Sequence, residues 1–257
     1  MRKKSEDTVE MPVVELQRRE IAFYLLGTSP LIYNAVSLKS KHQLLIPPPK
    51  KTAADKVANL KHDPPQEFFY STYRHRENDR PTRLFFPGGG FKAAMKQAAL
   101  RMPGLKKTEI AQFTWVQERD VDIYGVPEIF LAQVRSADIA RTPDIRTRAA
   151  LKNWAAKLTV RYVIPQLNKN SVMNLVGAAG LLCGIGDGRQ EKGYGNGQWE
   201  VVNEDDERFL NIVNAGGREV QDRALQNPQP YDIESEELLS IFENEIAKRG
   251  DSIQRAA

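Results

Sequence analysis

One cysteine and three histidines in 257 residues leave little material for thiol or metal chemistry. Cys183 has no partner for an internal disulfide and cannot supply a zinc ribbon, and its apolar, helix-like context reads as core burial rather than as a nucleophile. His42, His62 and His75 fall in one stretch, at spacings that match neither HExxH nor a Cys/His zinc pattern. Asp120 and Asp122 alternate on a strand-like segment without a metal partner, so neither a metal nor a cofactor is expected. Long apolar runs are missing as well: "IAFYLLG" and "LVGAAGLLCGIG" fall short of the roughly 20 residues that span a bilayer. The charged start "MRKKSEDTVEM" lacks the apolar stretch of a signal peptide. A cytoplasmic location with no membrane partner is therefore expected. No Gly-Lys-Ser or Gly-Lys-Thr occurs, which removes the mononucleotide phosphate loop.

What the chain does have is a lopsided charge. The total is +4, yet residues 203 to 257 carry thirteen acidic and six basic side chains, which leaves +11 on residues 1 to 202. A basic body with an acidic appendage is what a polyanion-binding domain of about 203 residues with a helical extension over 204–257 would show.

Hydrophobic periodicity supplies the order of elements. Residues 18 to 27 read as a first strand, and residues 35 to 83, with "IPPPKK", "HDPPQE" and "HRENDRP", read as a long insertion. "RLFFPGGGFKAAMKQAALRM" is a short strand running into a helix whose Phe91, Ala94, Met95, Ala98 and Ala99 share one face. Segments 113–123 and 127–136, with Gly125 and Pro127 between them, look like a hairpin. Strands follow over 145–164, where Leu158, Val160 and Tyr162 alternate with Thr159, Arg161 and Val163. A helix is predicted from about Ser171 to Cys183, capped by Asn170 or Ser171, then a glycine loop and a last strand in "GQWEVV". Two amphipathic helices joined by "QNPQPYD" close the chain. The pattern as a whole is α+β, an antiparallel sheet with helices on one face.

The glycine loop places Gly184, Gly186, Gly188, Gly193, Gly195 and Gly197 after a helix and before a strand. That order is the reverse of a dinucleotide-binding turn, whose phosphate site lies at the start of a following helix. Either the glycines serve a long turn, or their surplus admits a close partner such as a phosphate backbone. In the second case, valine at Gly186 or Gly195 would impair binding more than folding. A helix, then "GIG", a polar stretch, then "GYG" and a strand is similar to the glycine-rich loop of the RAMP superfamily, RNA-binding proteins of CRISPR systems. Gly184, Gly186, Gly193, Tyr194 and Gly195 carry the match. The resemblance implies a ferredoxin-like, RRM-related sheet, with the insertion as a thumb or finger region. The chain also resembles a family of phage and prophage proteins sharing a "GTSPLI" start and a late "GIG".

Phosphates should meet arginines, lysines, free backbone N–H groups and stacking aromatics. Arg135, Arg141, Arg146, Arg148, Lys152, Lys157 and Arg161 make one basic group, with Trp154 among them. The insertion offers a second, Lys39, Lys41, Lys50, Lys51, Arg74 and Arg76 beside Phe68, Phe69, Tyr70 and Tyr73. Lys92 and Lys96, after the glycines of "PGGG", make a third at a helix start. Arg189 and Lys192 are the phosphate contacts expected in the glycine loop. The sequence thus predicts a non-enzymatic, sequence-independent binder of single-stranded RNA or DNA, assembled as repeated copies of itself, alone or with other complex subunits. Two alternatives are an endoribonuclease of the same superfamily, using His42 or His75, and a protein-interaction module that binds no nucleic acid.

Overall fold

The computed structural model describes residues 14–36, 38–46, 62–135 and 142–256. Its first sheet is antiparallel. Strand β1 (Gln17–Gly27) lies between β8 (Ala155–Ile164) and β9 (Trp199–Val202), and β4 (Thr114–Val116) and β5 (Asp120–Tyr124) both pair with β8. Strand β3 (Phe85–Pro87) adds to β5. A second sheet has the order β2 (Leu31–Ile32), β7 (Pro143–Leu151), β6 (Glu128–Arg135). The expected hairpin is therefore corrected: β5 and β6 do not pair, because at Gly125 to Pro127 the chain leaves one sheet and enters the other.

The helices Gly88–Ala99 and Lys169–Leu182 sit where periodicity placed them, whereas Leu38–Leu45 and Lys107–Phe113 were not expected as helices. Helix α1 (Leu38–Leu45) and α2 (Pro64–Ser71) belong to the insertion, and α3 (Gly88–Ala99) and α4 (Lys107–Phe113) follow β3. Helix α5 (Lys169–Leu182) packs beside α3. Its cap is Asn168, two or three residues earlier than expected, whose side chain accepts from the Ser171 N–H at 2.8 Å. Phe23, Leu25, Leu158 and Val160 from the sheet and Phe91, Met95, Val172, Leu175 and Val176 from the helices are buried in one core. The face of α3 that repeats every three to four residues is the buried one, so hydrophobic burial alone orients that helix.

Helix α2 fastens the insertion to the second sheet. Ser71 Oγ accepts from the Ala149 N–H at 2.8 Å, and the His62 ring bridges Glu67 at 2.8 Å and Asp144 at 2.9 Å. Residues 207 to 256 form three helices rather than two, since Gly216 and Gly217 break the first: α6 (Glu207–Ala215), α7 (Arg218–Gln226) and α8 (Ile233–Ala256). Gln221 of α7 is fully buried; it accepts from the Arg83 and Leu84 N–H groups and donates to the carbonyls of Ile123, Gly125 and Gly216. One amide thereby satisfies five backbone groups, where α7 meets β3 and β5. The outer edge of β6 is covered by residues 229 to 231 and by Ser235, whose hydroxyl accepts from Leu131 N–H.

Candidate nucleic-acid interface

The glycine loop folds back on the turn after β1. Asp187 N–H donates to Ile32 O, Gly197 N–H to Pro30 O, and Ser29 Oγ to Gly195 O at 2.8 Å. The "GTSPLI" and "GIG" stretches thus meet in space. All six loop glycines have positive φ, and at Gly186 a Cβ would run into the Ile32 carbonyl oxygen. Gly186 is a packing residue, which corrects the expectation that valine there would spare folding. A Cβ added at Gly193 or Gly195 would meet no backbone within 4 Å, so this tip of the loop has room to admit a partner. Tyr194, at the tip, is 78 % exposed, and Lys192 beside it is exposed too. Arg189 is tied to Glu191 at 2.6 Å.

The first basic group does not form one patch. Lys157 and Arg161 lie on the first sheet, Arg135, Arg146 and Arg148 on the second, and Arg135 shares the sheet face opposite to that of Arg146 and Arg148. Most of these charges are already paired: Arg146 with Asp144, Arg148 with Asp187, Lys152 with Glu128 and Arg161 with Glu20. Trp154, expected among them as a stacking residue, is fully buried, and its Nε1 donates to Ser29 O. Lys50, Lys51 and Arg141 lie outside the described residues, and only the backbone of Lys39 is described.

The second group converges. A cleft of about 670 Å³ opens between the insertion, β3 and α7, lined by Lys41, Arg74, Arg76 and Arg83 and by Phe69, Tyr73, His75 and Phe85. Phe68 turns into the core, whereas Phe69 stays 40 % exposed and carries the Arg74 guanidinium 3.4 Å above its ring centroid. Tyr70 stands edge-on to Phe69 at 5.4 Å. Burial pulls the Arg74 pKa down, opposed by Tyr70 and reinforced by Arg83. Its Nη1 is buried and has no hydrogen-bond partner among the described residues. A desolvated guanidinium with an unused donor is matched by an anion that supplies the acceptor.

Arg83, Phe85 and Asp222 complete this cleft and were not among the predicted contacts. Arg83 precedes β3 and Phe85 opens it, and the cation ahead of two adjacent aromatics in "RLFF" was the available signal. Asp222 takes Arg83 in a two-pronged bond, the longer prong 3.0 Å. Arg83 holds the Asp222 carboxyl below its ordinary pKa, first by hydrogen bonding and then by charge. A depressed carboxyl stabilises the fold above its unfolded value, about pH 4, and loses that contribution as pH falls through the folded value. Asp222→Asn should therefore lower stability by about 1 kcal/mol at neutral pH, a figure discounted for partial exposure. Urea denaturation should show the gap between variant and wild type closing as the pH is brought below about 4.

A second cavity, about 760 Å³, lies between the end of β1 and α6. Its charges are satisfied by one another, Lys152 with Glu128 and Arg208 with Glu200. Cys183 is buried, and burial pushes its thiol pKa up. Among the described residues no group of three or more acidic, histidine or cysteine side chains could hold a metal ion, and no helix is long and apolar enough to cross a membrane. Compared with models of known protein families and with curated protein sequences, the chain matches none.

Proposed function

We propose that the protein binds single-stranded nucleic acid without reading its sequence, and that the cleft around Arg74 grips the strand. The observation that carries this reading is the Arg74 guanidinium, stacked on an exposed phenylalanine with a donor unused, in a cleft shared with Lys41, Arg76 and Arg83. Cations contact phosphates and aromatic faces take bases of any identity, which is how single strands are held without sequence preference. The strand order β9–β1–β8–β4, with α3 and α5 on the crossovers, supports a ferredoxin-like, RAMP-type core, to which the insertion contributes half of the cleft. Repeated copies lining up along one strand complete the reading. The strand comes from RNA or from DNA, in a host-cell cytoplasm if the chain is phage-encoded.

Labelled single-stranded RNA and DNA should bind, and log affinity should fall linearly with log salt, by roughly 0.7 for each phosphate neutralised. Affinity that stays constant between low and high salt would remove the proposal. One observation favours a second reading. His75 lines the same cleft with Nε2 at 2.8 Å from the Asp122 carboxylate, a pairing that general acid–base catalysts use. The ring is only 4 % exposed, which favours a structural role. RNA recovered intact after incubation supports binding alone; cleavage by wild type and not by His75→Ala would establish the nuclease.

A further inference from the structure

Trp115 stands apart from the chain's other two tryptophans: it is 36 % exposed on β4, whereas Trp154 is fully buried and Trp199 is 3 % exposed. Strand β4 pairs with β8 on one side, and its other edge is unpaired among the described residues. Two cations flank the indole, the Arg18 guanidinium carbon at 5.7 Å and the Lys92 ammonium at 5.9 Å from the ring centroid. Neither has a carboxylate partner among the described residues, while Arg161, opposite Trp115 in register, is neutralised by Glu20. Burial lowers the Lys92 pKa, and Lys96 adds to it, so a cation is being held where charge is disfavoured. An exposed aromatic on an open strand edge, with two unneutralised cations beside it, joins a π-face and positive charge at one place on the surface.

We infer that Trp115 is a base-stacking platform, taking one nucleobase of a bound single strand on its indole while Arg18 and Lys92 contact the adjoining phosphates. The site rests on the nucleic-acid reading above but lies outside the Arg74 cleft, so the strand has a second point of hold on each protomer. The ring offers a π-face to any base, and the two cations set charge on either side of it, which is the combination that holds single strands elsewhere.

Intrinsic fluorescence tests this directly, because the other two tryptophans are shielded from a ligand on the surface. Oligothymidylate and oligouridylate of ~15 nucleotides are added to the full chain, with dye-labelled copies read by anisotropy for binding and unlabelled ones read by tryptophan emission for stacking. Wild type should bind with quenched emission. Trp115→Phe should bind nearly as well with the quench gone, and Trp115→Leu should weaken binding about fivefold or more. Binding without a quench, or unchanged affinity in Trp115→Leu, overturns the platform and leaves the Arg74 cleft standing. Absence of any anisotropy change in wild type overturns both.

Discussion

Gly197→Ala should abolish folding, whereas Gly193→Ala, four residues away in the same loop, should cost only about 1–2 kcal/mol. The two glycines have similar backbone angles, φ +70° and φ +87°, so the left-handed penalty of roughly 1–2 kcal/mol falls on both alike. What differs is the space around them. A Cβ at Gly197 would overlap the Ile185 carbonyl oxygen, and that oxygen cannot retreat, because the Ile185 N–H is itself bonded to Gly197 O at 3.0 Å. Gly197 N–H also donates to Pro30 O, so displacing the loop unpairs the turn after β1. At Gly193 nothing lies within 4 Å of the added carbon. Chemical denaturation with far-UV circular dichroism measures both. Equal losses at the two positions would show that backbone angle alone, and not the close approach, fixes the glycines.

The loop illustrates which parts of this fold were legible in the sequence. Elements defined by local periodicity were readable: the α3 face, the alternation in β8 and the strand–helix–loop–strand order around "GIG" follow from repeats of 3.6 and 2 within a few residues. Pairing partners were not. Gly125 and Pro127 between two extended segments carry hairpin chemistry, yet β6 pairs with the strand that follows it, β7, a choice made by the burial of Ile129 and Leu131 and not by the turn. Hydropathy likewise hid Gln221, a polar residue in a highly charged helix that is buried because five backbone groups need it. Of the candidate contacts, Arg74, Arg76 and Lys41 line one cleft because the strand-like segment at Arg74 bridges Leu84 beside β3, next to residues of α1, α2 and α7. The cations of β6 to β8 looked as dense in sequence but are distributed over two sheets, and while Arg146 meets the nearby Asp144, Arg148, Lys152 and Arg161 are neutralised by acids distant in the chain, which spacing does not reveal.

Arg74→Ala should weaken single-strand binding about tenfold or more, and Arg74→Lys should recover only part of that loss. The alanine variant removes a phosphate contact and the cation that sits 3.4 Å over Phe69, so the salt slope should become shallower by about 0.7. Lysine restores the charge and hence the slope, but its compact ammonium cannot lie flat on the ring or present two parallel donors, so affinity should stay below wild type. Stability should change little in either variant, because Arg74 joins the fold through its backbone bridge to Leu84 while its side chain is only half-buried. Phe69→Ala supplies the converse. It leaves every charge in place, so the slope should hold while affinity drops, by the roughly 1–3 kcal/mol that a stacked base contributes. Fluorescence anisotropy over a salt series separates these effects in one experiment. A slope unchanged in Arg74→Ala would mean that the strand does not pass through the cleft, and the binding surface would then have to be sought at the exposed tip of the glycine loop, where Lys192 and Tyr194 stand clear of the chain.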